Sequence, residues 1–291
     1  MKKTILFLFL AGIALCRLPV RAQTVAIPEA EKAAIVQTAL DYGDGYYSGA
    51  AERMERALHP DLNKVWTRVL PQTKTVMIGY STFSGLVEGT RAKMGYTEPV
   101  ARKIQAEALF MNDDVAGAKV TSAQFNDFLQ MVKVEGQWKI VNVLWVPGPD
   151  SRFRQPLTGF ILEKEQAAAK KAALDFVEGS MSGDVGRVVA VLHPEASRAV
   201  FQALPQTGKK LVARNRFSGM AEPVRAQLTV IPEAQRQLAV RIIDMMDGMA
   251  FVEATTLFGS NYLLMSWLDG QWKILNILVK INPDAPRPPQ R

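Results

Sequence analysis

A shift of 134 residues lays one half of this chain on the other without a slip in register. It carries Ser48-Gly49 to Ser182-Gly183, Leu58-His59-Pro60 to Leu192-His193-Pro194, and Phe83-Ser84-Gly85 to Phe217-Ser218-Gly219. It also carries Leu70-Pro71-Gln72-Thr73 to Leu204-Pro205-Gln206-Thr207 and Gly136-Gln137-Trp138-Lys139-Ile140 to Gly270-Gln271-Trp272-Lys273-Ile274, with Asn142 falling on Asn276. Solenoid units repeat every 20–50 residues or so, so a period this long implies that each copy is a whole domain with its own core. The expected domains span 28–146 and 163–281. Between them lies a semi-rigid linker over 147–162, where Pro147, Gly148, Pro149 and Pro156 interrupt every periodic pattern. The tail over 282–291 holds Pro283, Pro286, Pro288 and Pro289, too much proline to pack.

Within each copy helices come first and strands follow. Pro28, Glu29 and Glu31 suit a helix start. Ile35, Ala39, Tyr42 and Tyr46 then recur at helical spacing, up to a stop at Ser48-Gly49. A short helix from Ala51 ends before His59-Pro60, because the residue before proline is pushed out of the α region, and a third helical piece falls near Ser84–Met94. The period then changes to two over 104–111, 115–122, 125–134 and 138–146, with turns at Asn112-Asp113-Asp114 and Glu135-Gly136. The second copy repeats this order. Helices segregated on one side of an antiparallel sheet make an α+β domain.

Charge argues against nucleic acid. Of 35 basic side chains, Lys2, Lys3, Arg17 and Arg21 fall in the first 22 residues, which carry no acid. The remainder is nearly balanced, with no basic stripe. Those 22 residues read as an export signal: a basic start, an apolar run over 4–16, and a cut after Ala22, sending the chain to the periplasm or outside the cell. The run is too short for a bilayer core that needs about 20 residues, so no membrane span is expected after processing. Cys16 is the only cysteine and leaves with the signal, which excludes disulfides, a thiol nucleophile and cysteine metal sites. The two histidines, His59 and His193, sit in different copies, and no metal or cofactor is expected.

The sequence 51–61 (Ala-Glu-Arg-Met-Glu-Arg-Ala-Leu-His-Pro-Asp), following a helix that ends in a small-residue turn, and the closing segment 134–145 (Val-Glu-Gly-Gln-Trp-Lys-Ile-Val-Asn-Val-Leu-Trp) are similar to the NTF2-like superfamily, and within it to the lumazine-binding branch. The resemblance covers nearly all of 30–146 and, more weakly, 165–281. It implies a cone, a curved sheet wrapped around three helices and open at one end to a pocket. That fold serves as isomerase, dehydratase, hydrolase, ligand carrier or association module, so function must come from the site. The superfamily's isomerases use a tyrosine on the first helix and an aspartate base after the second. Tyr42 sits at a comparable place, whereas Trp66 falls where the base would be.

Candidate ligand-binding residues are Tyr42, Tyr46, His59, Trp66 and Asn142 in the first copy and Phe176, His193 and Asn276 in the second. His59 could act as a general base near neutral pH, or its imidazole could simply fix the turn into the first strand. Alternation puts Trp138, Ile140, Asn142 and Leu144 on one face of the last strand, the concave face in the cone that the resemblance implies. Asn142 would orient a ligand there or satisfy backbone groups in the core, while Val141, Val143 and Trp145 would face away and pair the two domains or two chains. Tyr42, Tyr46 and Trp66 offer a stacking surface for a flat heteroaromatic molecule that Phe176, Ser180 and Val200 do not match. The expected function is noncatalytic: small-molecule binding, or association through the sheet faces. The alternative is a SnoaL-like or ketosteroid-isomerase-like lyase, isomerase or hydrolase acting through His59 and Tyr42.

Overall fold

The structure, a computed structural model, describes residues 26–285 except 71, 74, 155, 158 and 205. The expected export signal over 1–22 and the end of the tail, 286–291, lie outside the described residues. The first domain runs α1 (Glu29–Ser48), α2 (Ala51–Ala57), β1 (Leu58–Val69), β2 (Val76–Ser81), α3 (Phe83–Arg91), the single turn α4 (Pro99–Arg102), β3 (Gln105–Asn112), β4 (Val115–Thr121), β5 (Phe125–Val134) and β6 (Gln137–Pro147). The second runs α5 (Leu162–Ser182), α6 (Val185–Val191), β7 (Leu192–Ala203), β8 (Lys210–Arg216), α7 (Phe217–Arg225), β9 (Ala239–Met246), β10 (Met249–Thr256), β11 (Gly259–Leu268) and β12 (Gln271–Ile281). Each is an α+β domain with a six-stranded sheet, in the orders β2-β1-β6-β5-β4-β3 and β8-β7-β12-β11-β10-β9. All pairings are antiparallel except β1 with β6 and β7 with β12. Four of the six strands per copy fall where the sequence places strands, although β4, β5 and β6 are buried on both faces over long runs. The first two, β1 and β2, pair as an antiparallel hairpin that the sequence pattern does not place; β2 is half-buried throughout and shows no alternation.

The helices pack on one face of each sheet. Ile35, Ala39 and Tyr42 of α1 join Met54 of α2 and Leu129, Met131, Trp138 and Ile140 of the sheet in the first core. Trp138 donates its indole N–H to Glu31 at 2.8 Å, and its repeat mate Trp272 donates to Glu165 at 2.9 Å, so each last strand is tied to the start of its first helix. The charged residues of α2 tie it to α1. Arg53 reaches the buried Asp41 at 3.0 Å and Asp44 at 2.6 Å, and Arg56 reaches Asp41 at 2.8 Å, clamping α2 to α1.

A β-bulge changes the expected faces of β6. Gln130 pairs with Asn142 but Met131 pairs with Ile140, which leaves Val141 as an extra residue; β12 repeats this at Leu275, between Ile274 and Asn276. One inserted residue turns every side chain beyond it to the other face. Asn142 and Leu144 therefore leave the concave face expected of them, and Val143 and Trp145 take it.

The other faces of the two sheets meet back to back. Val65, Phe128, Val141 and Leu144 share a third core with Phe251, Tyr262, Leu264 and Leu278, and Phe110 stacks on Tyr262 with centroids 4.3 Å apart. The polar contacts across this contact surface come in repeat-related pairs. Asn276 Nδ2 donates to the carbonyl of Val143 at 3.0 Å, and Asn142 Nδ2 to that of Ile277 at 3.4 Å. Arg214 Nε donates to the carbonyl of Asp61 at 2.9 Å, and Tyr80, at the equivalent position of β2, to that of Glu195 at 3.5 Å. Such reciprocity is the mark of an isologous, two-fold interface, here made within one chain. The linker is pinned to both halves: Lys103 of the first reaches Asp150 at 3.1 Å, while Arg154 pairs with Asp247 of the second at 2.6 Å and Phe160 packs edge-on to Trp267 and Trp272.

Candidate functional site

The open end of the first cone holds a cavity of about 540 Å³, within the roughly 300–1,000 Å³ usual for small-molecule sites. Helix α1 supplies Tyr42, Tyr46 and Tyr47, β1 supplies Lys64, Trp66 and Arg68, and Phe125, Trp145 and the linker's Phe153 complete an aromatic wall. Two glycines make room for the rings. A Cβ on Gly79 would stand 1.9 Å from the Trp66 indole, and one on Gly95 would stand 2.0 Å from the Tyr46 ring. Among the described residues the charged lining consists of Lys64 and Arg68, with no acid. Arg68 lies over the Phe153 ring at 4.6 Å and near Trp66 at 5.8 Å, a cation–π arrangement that orients the guanidinium at the mouth.

Beneath this wall is a buried polar chain. Lys64 Nζ donates to the Tyr42 hydroxyl at 2.5 Å, and that hydroxyl donates to Asp127 Oδ2 at 3.3 Å. Lys64 Nζ lies 3.9 Å from Asp127 Oδ1, which has no hydrogen-bond partner among the described residues. Burial pushes the Asp127 carboxyl up to about 6, against the opposing pull of Lys64 and of the Tyr42 hydroxyl. Burial also lowers the Lys64 ammonium, with Asp127 opposing. It holds the Tyr42 phenol well above its ordinary range, and the neighbouring carboxylate adds to the effect. Tyr42 therefore stays protonated at neutral pH. Lys64 lines the cavity and uses one of its three donors on Tyr42.

Of the residues expected from sequence, the cavity gathers Tyr42, Tyr46 and Trp66, and does not gather His59 or Asn142. His59 Nδ1 accepts the Asp61 backbone N–H at 3.1 Å, and His193 Nδ1 accepts that of Glu195 at 3.2 Å. Both close the turn at the start of a strand. Burial lowers both imidazoles from their ordinary value, with Asp61 and Glu195 opposing. Asn142 and Asn276 belong to the contact between domains; besides Ile277, Asn142 reaches Gln130 and receives Arg214, and Asn276 receives Asn63 at 2.6 Å. Phe176 lines a second, smaller cavity in the other cone. Lys64 and Asp127 are the members that sequence reasoning missed. Their signal lies in the comparison of copies, where Tyr42, Lys64 and Asp127 become Phe176, Arg198 and Asn261 together.

No group of three or more potential metal ligands occurs among the described residues, and no helix there is long and apolar enough to cross a membrane.

The chain is a tandem of two similar α+β domains, each with helices on one face of a six-stranded sheet. The sequence model of a family described as "Putative lumazine-binding" matches twice, over 30–146 and 164–278, and the chain belongs to that family. Among curated proteins none matches. Solved structures similar to it include an NTF2-like protein of unknown function from Silicibacter pomeroyi DSS-3, at 16% identity and a TM-score of 0.35, covering 42% of this chain and 99% of the other. Another, from Shewanella baltica OS155, has 19% identity and a TM-score of 0.34, covering 43% of this chain and 99% of the other.

Proposed function

We propose that the first cone binds a small, flat heteroaromatic molecule that carries a carbonyl or anionic group, in a protein exported by its N-terminal segment. The observation that carries this reading is an aromatic cavity whose charged lining, Lys64 and Arg68, is wholly basic. Flat rings stack on such walls, and one or two fixed donors set their orientation. A lumazine, with its bicyclic ring and paired carbonyls, has that chemistry, and the family's description points the same way. The test is titration of the purified protein with lumazine, read by quenching of tryptophan fluorescence. Saturable binding that weakens about tenfold or more in Trp66→Ala and in Lys64→Met supports the reading; binding indifferent to both substitutions overturns it.

A second reading, proton-transfer catalysis on the bound molecule, is favoured by one observation: the chain from Lys64 through Tyr42 to Asp127. Here Tyr42 and Lys64 take the acid–base part earlier considered for His59, since His59 does not line the cavity. A ligand carbonyl taking its hydrogen bond from Lys64 would gain stabilisation as negative charge develops on it. Tyr42→Phe separates the readings. Binding retained with turnover abolished supports catalysis, whereas binding with no turnover in the unaltered protein leaves a carrier.

A further inference from the structure

We infer that the second cone is a separate site for an amphipathic carboxylate, whose head group Arg198 takes and whose tail the apolar cavity walls accept. The cavity measures about 340 Å³ and is walled by Phe176, Met181, Ile231 and Phe258. Arg198 is the one charged side chain among its lining residues. Its Nε is buried without a hydrogen-bond partner, and no carboxylate of the described residues pairs with it. Its neighbour is the amide of Asn215, which, turned so that its oxygen faces the guanidinium, accepts from Nη2 at 2.8 Å.

The repeat shows how this arose. In the first cone the equivalent cation, Lys64, has Asp127 beside it and Tyr42 between them. In the second, Asn261 stands in place of the carboxylate and Phe176 in place of the phenol, so the counter-charge is gone while the cation is kept and enlarged. A part-buried guanidinium whose Nε has no partner and which faces no counter-charge is costly, and a bound anion removes that cost. The planar guanidinium suits a carboxylate, which it can grip with two parallel hydrogen bonds. Apolar walls around a lone cation favour an organic acid over a small inorganic anion.

Calorimetric titration of the full chain with hexanoate, and with hexanamide as its neutral counterpart, tests this. Hexanoate should bind at least about tenfold more tightly than hexanamide, and Arg198→Gln should remove one equivalent of hexanoate, as expected when a charge-assisted hydrogen-bonded pair is lost. Stoichiometry keeps the result independent of whether the first cone also binds acids. Arg198→Met should raise the thermal midpoint while abolishing the same equivalent, because it replaces a part-buried charge that has no counter-charge with an apolar chain. Equal binding of acid and amide, no saturable binding of hexanoate, or full stoichiometry retained in Arg198→Gln would overturn the inference. A lowered midpoint in Arg198→Met would also overturn it, by making Arg198 a structural strut.

Discussion

The two cones share their scaffold and differ in their interiors, and the differences come in compensating sets. Trp66 lies across Gly79 on the paired strands β1 and β2, and the same pair in the second cone is Val200 and Ala213. Tyr46 packs against Gly95, whereas Ser180 meets Thr229, which bonds back to its carbonyl at 2.6 Å. The buried Tyr42, Lys64 and Asp127 give way to Phe176, Arg198 and Asn261. Large-with-small pairs have been exchanged for medium-with-medium ones, and an internally neutralised chain for a bare cation. What stays the same, down to His59 and His193 or Asn142 and Asn276, closes turns or joins the domains. In a duplicated chain, retention in both copies marks scaffold, and concerted replacement marks the site.

The largest expected effect that sharpens this contrast concerns Asp127. Its pKa in the folded protein, about 6, lies above the ordinary carboxylate value of 3.8. The folded state therefore keeps a proton between those values that the unfolded chain has released, so stability falls as pH rises through that window and levels off above it. The gap of about two units corresponds to about 3 kcal/mol. Urea unfolding across pH 4–7 should show this slope, and Asp127→Asn, which copies Asn261, should flatten it. Next comes Gly79→Val, whose branched side chain would collide with the indole of Trp66. We expect a loss of about 1–3 kcal/mol from overpacking together with loss of ligand binding in the first cone, while Ala213→Val, which faces Val200 instead of an indole, costs less. At the contact between domains, Asn142→Ala and Asn276→Ala each leave buried groups unpaired. Each should cost about 1–3 kcal/mol, similar for the two sites, with lumazine affinity unchanged in calorimetry. The smallest effect belongs to His59→Ala and His193→Ala. Each removes one turn-closing acceptor, for about 1 kcal/mol by thermal melting, and any turnover should survive His59→Ala.

The sequence pattern made the duplication, the helix-then-strand order and the α+β class plain, because a repeated Gly-Gln-Trp-Lys-Ile and alternating strands need no tertiary knowledge. Strict alternation puts Asn142 on the concave face because it has no way to register the extra Val141; a bulge is set by pairing with β5 and by the curvature of the sheet. Lys64 was hidden within β1, whose first half bends away from β6, with a register shift between Leu58 and Asn63. Asp127 sits in a strand in which eight consecutive residues are buried, so no alternation marks it out. The aromatic members Tyr42, Tyr46 and Trp66 were legible because their replacement in the second copy changes size and polarity at once.

The reciprocal contact between the two sheets has a consequence for how such a molecule can change over time. In a symmetric pair of identical chains every substitution appears twice, so a cavity cannot be refitted without refitting its twin. Joining the halves through 147–162 lifts that constraint and makes their association unimolecular, indifferent to dilution. One vessel can then be reshaped for a new guest while the other, and the seam between them, keeps the whole upright.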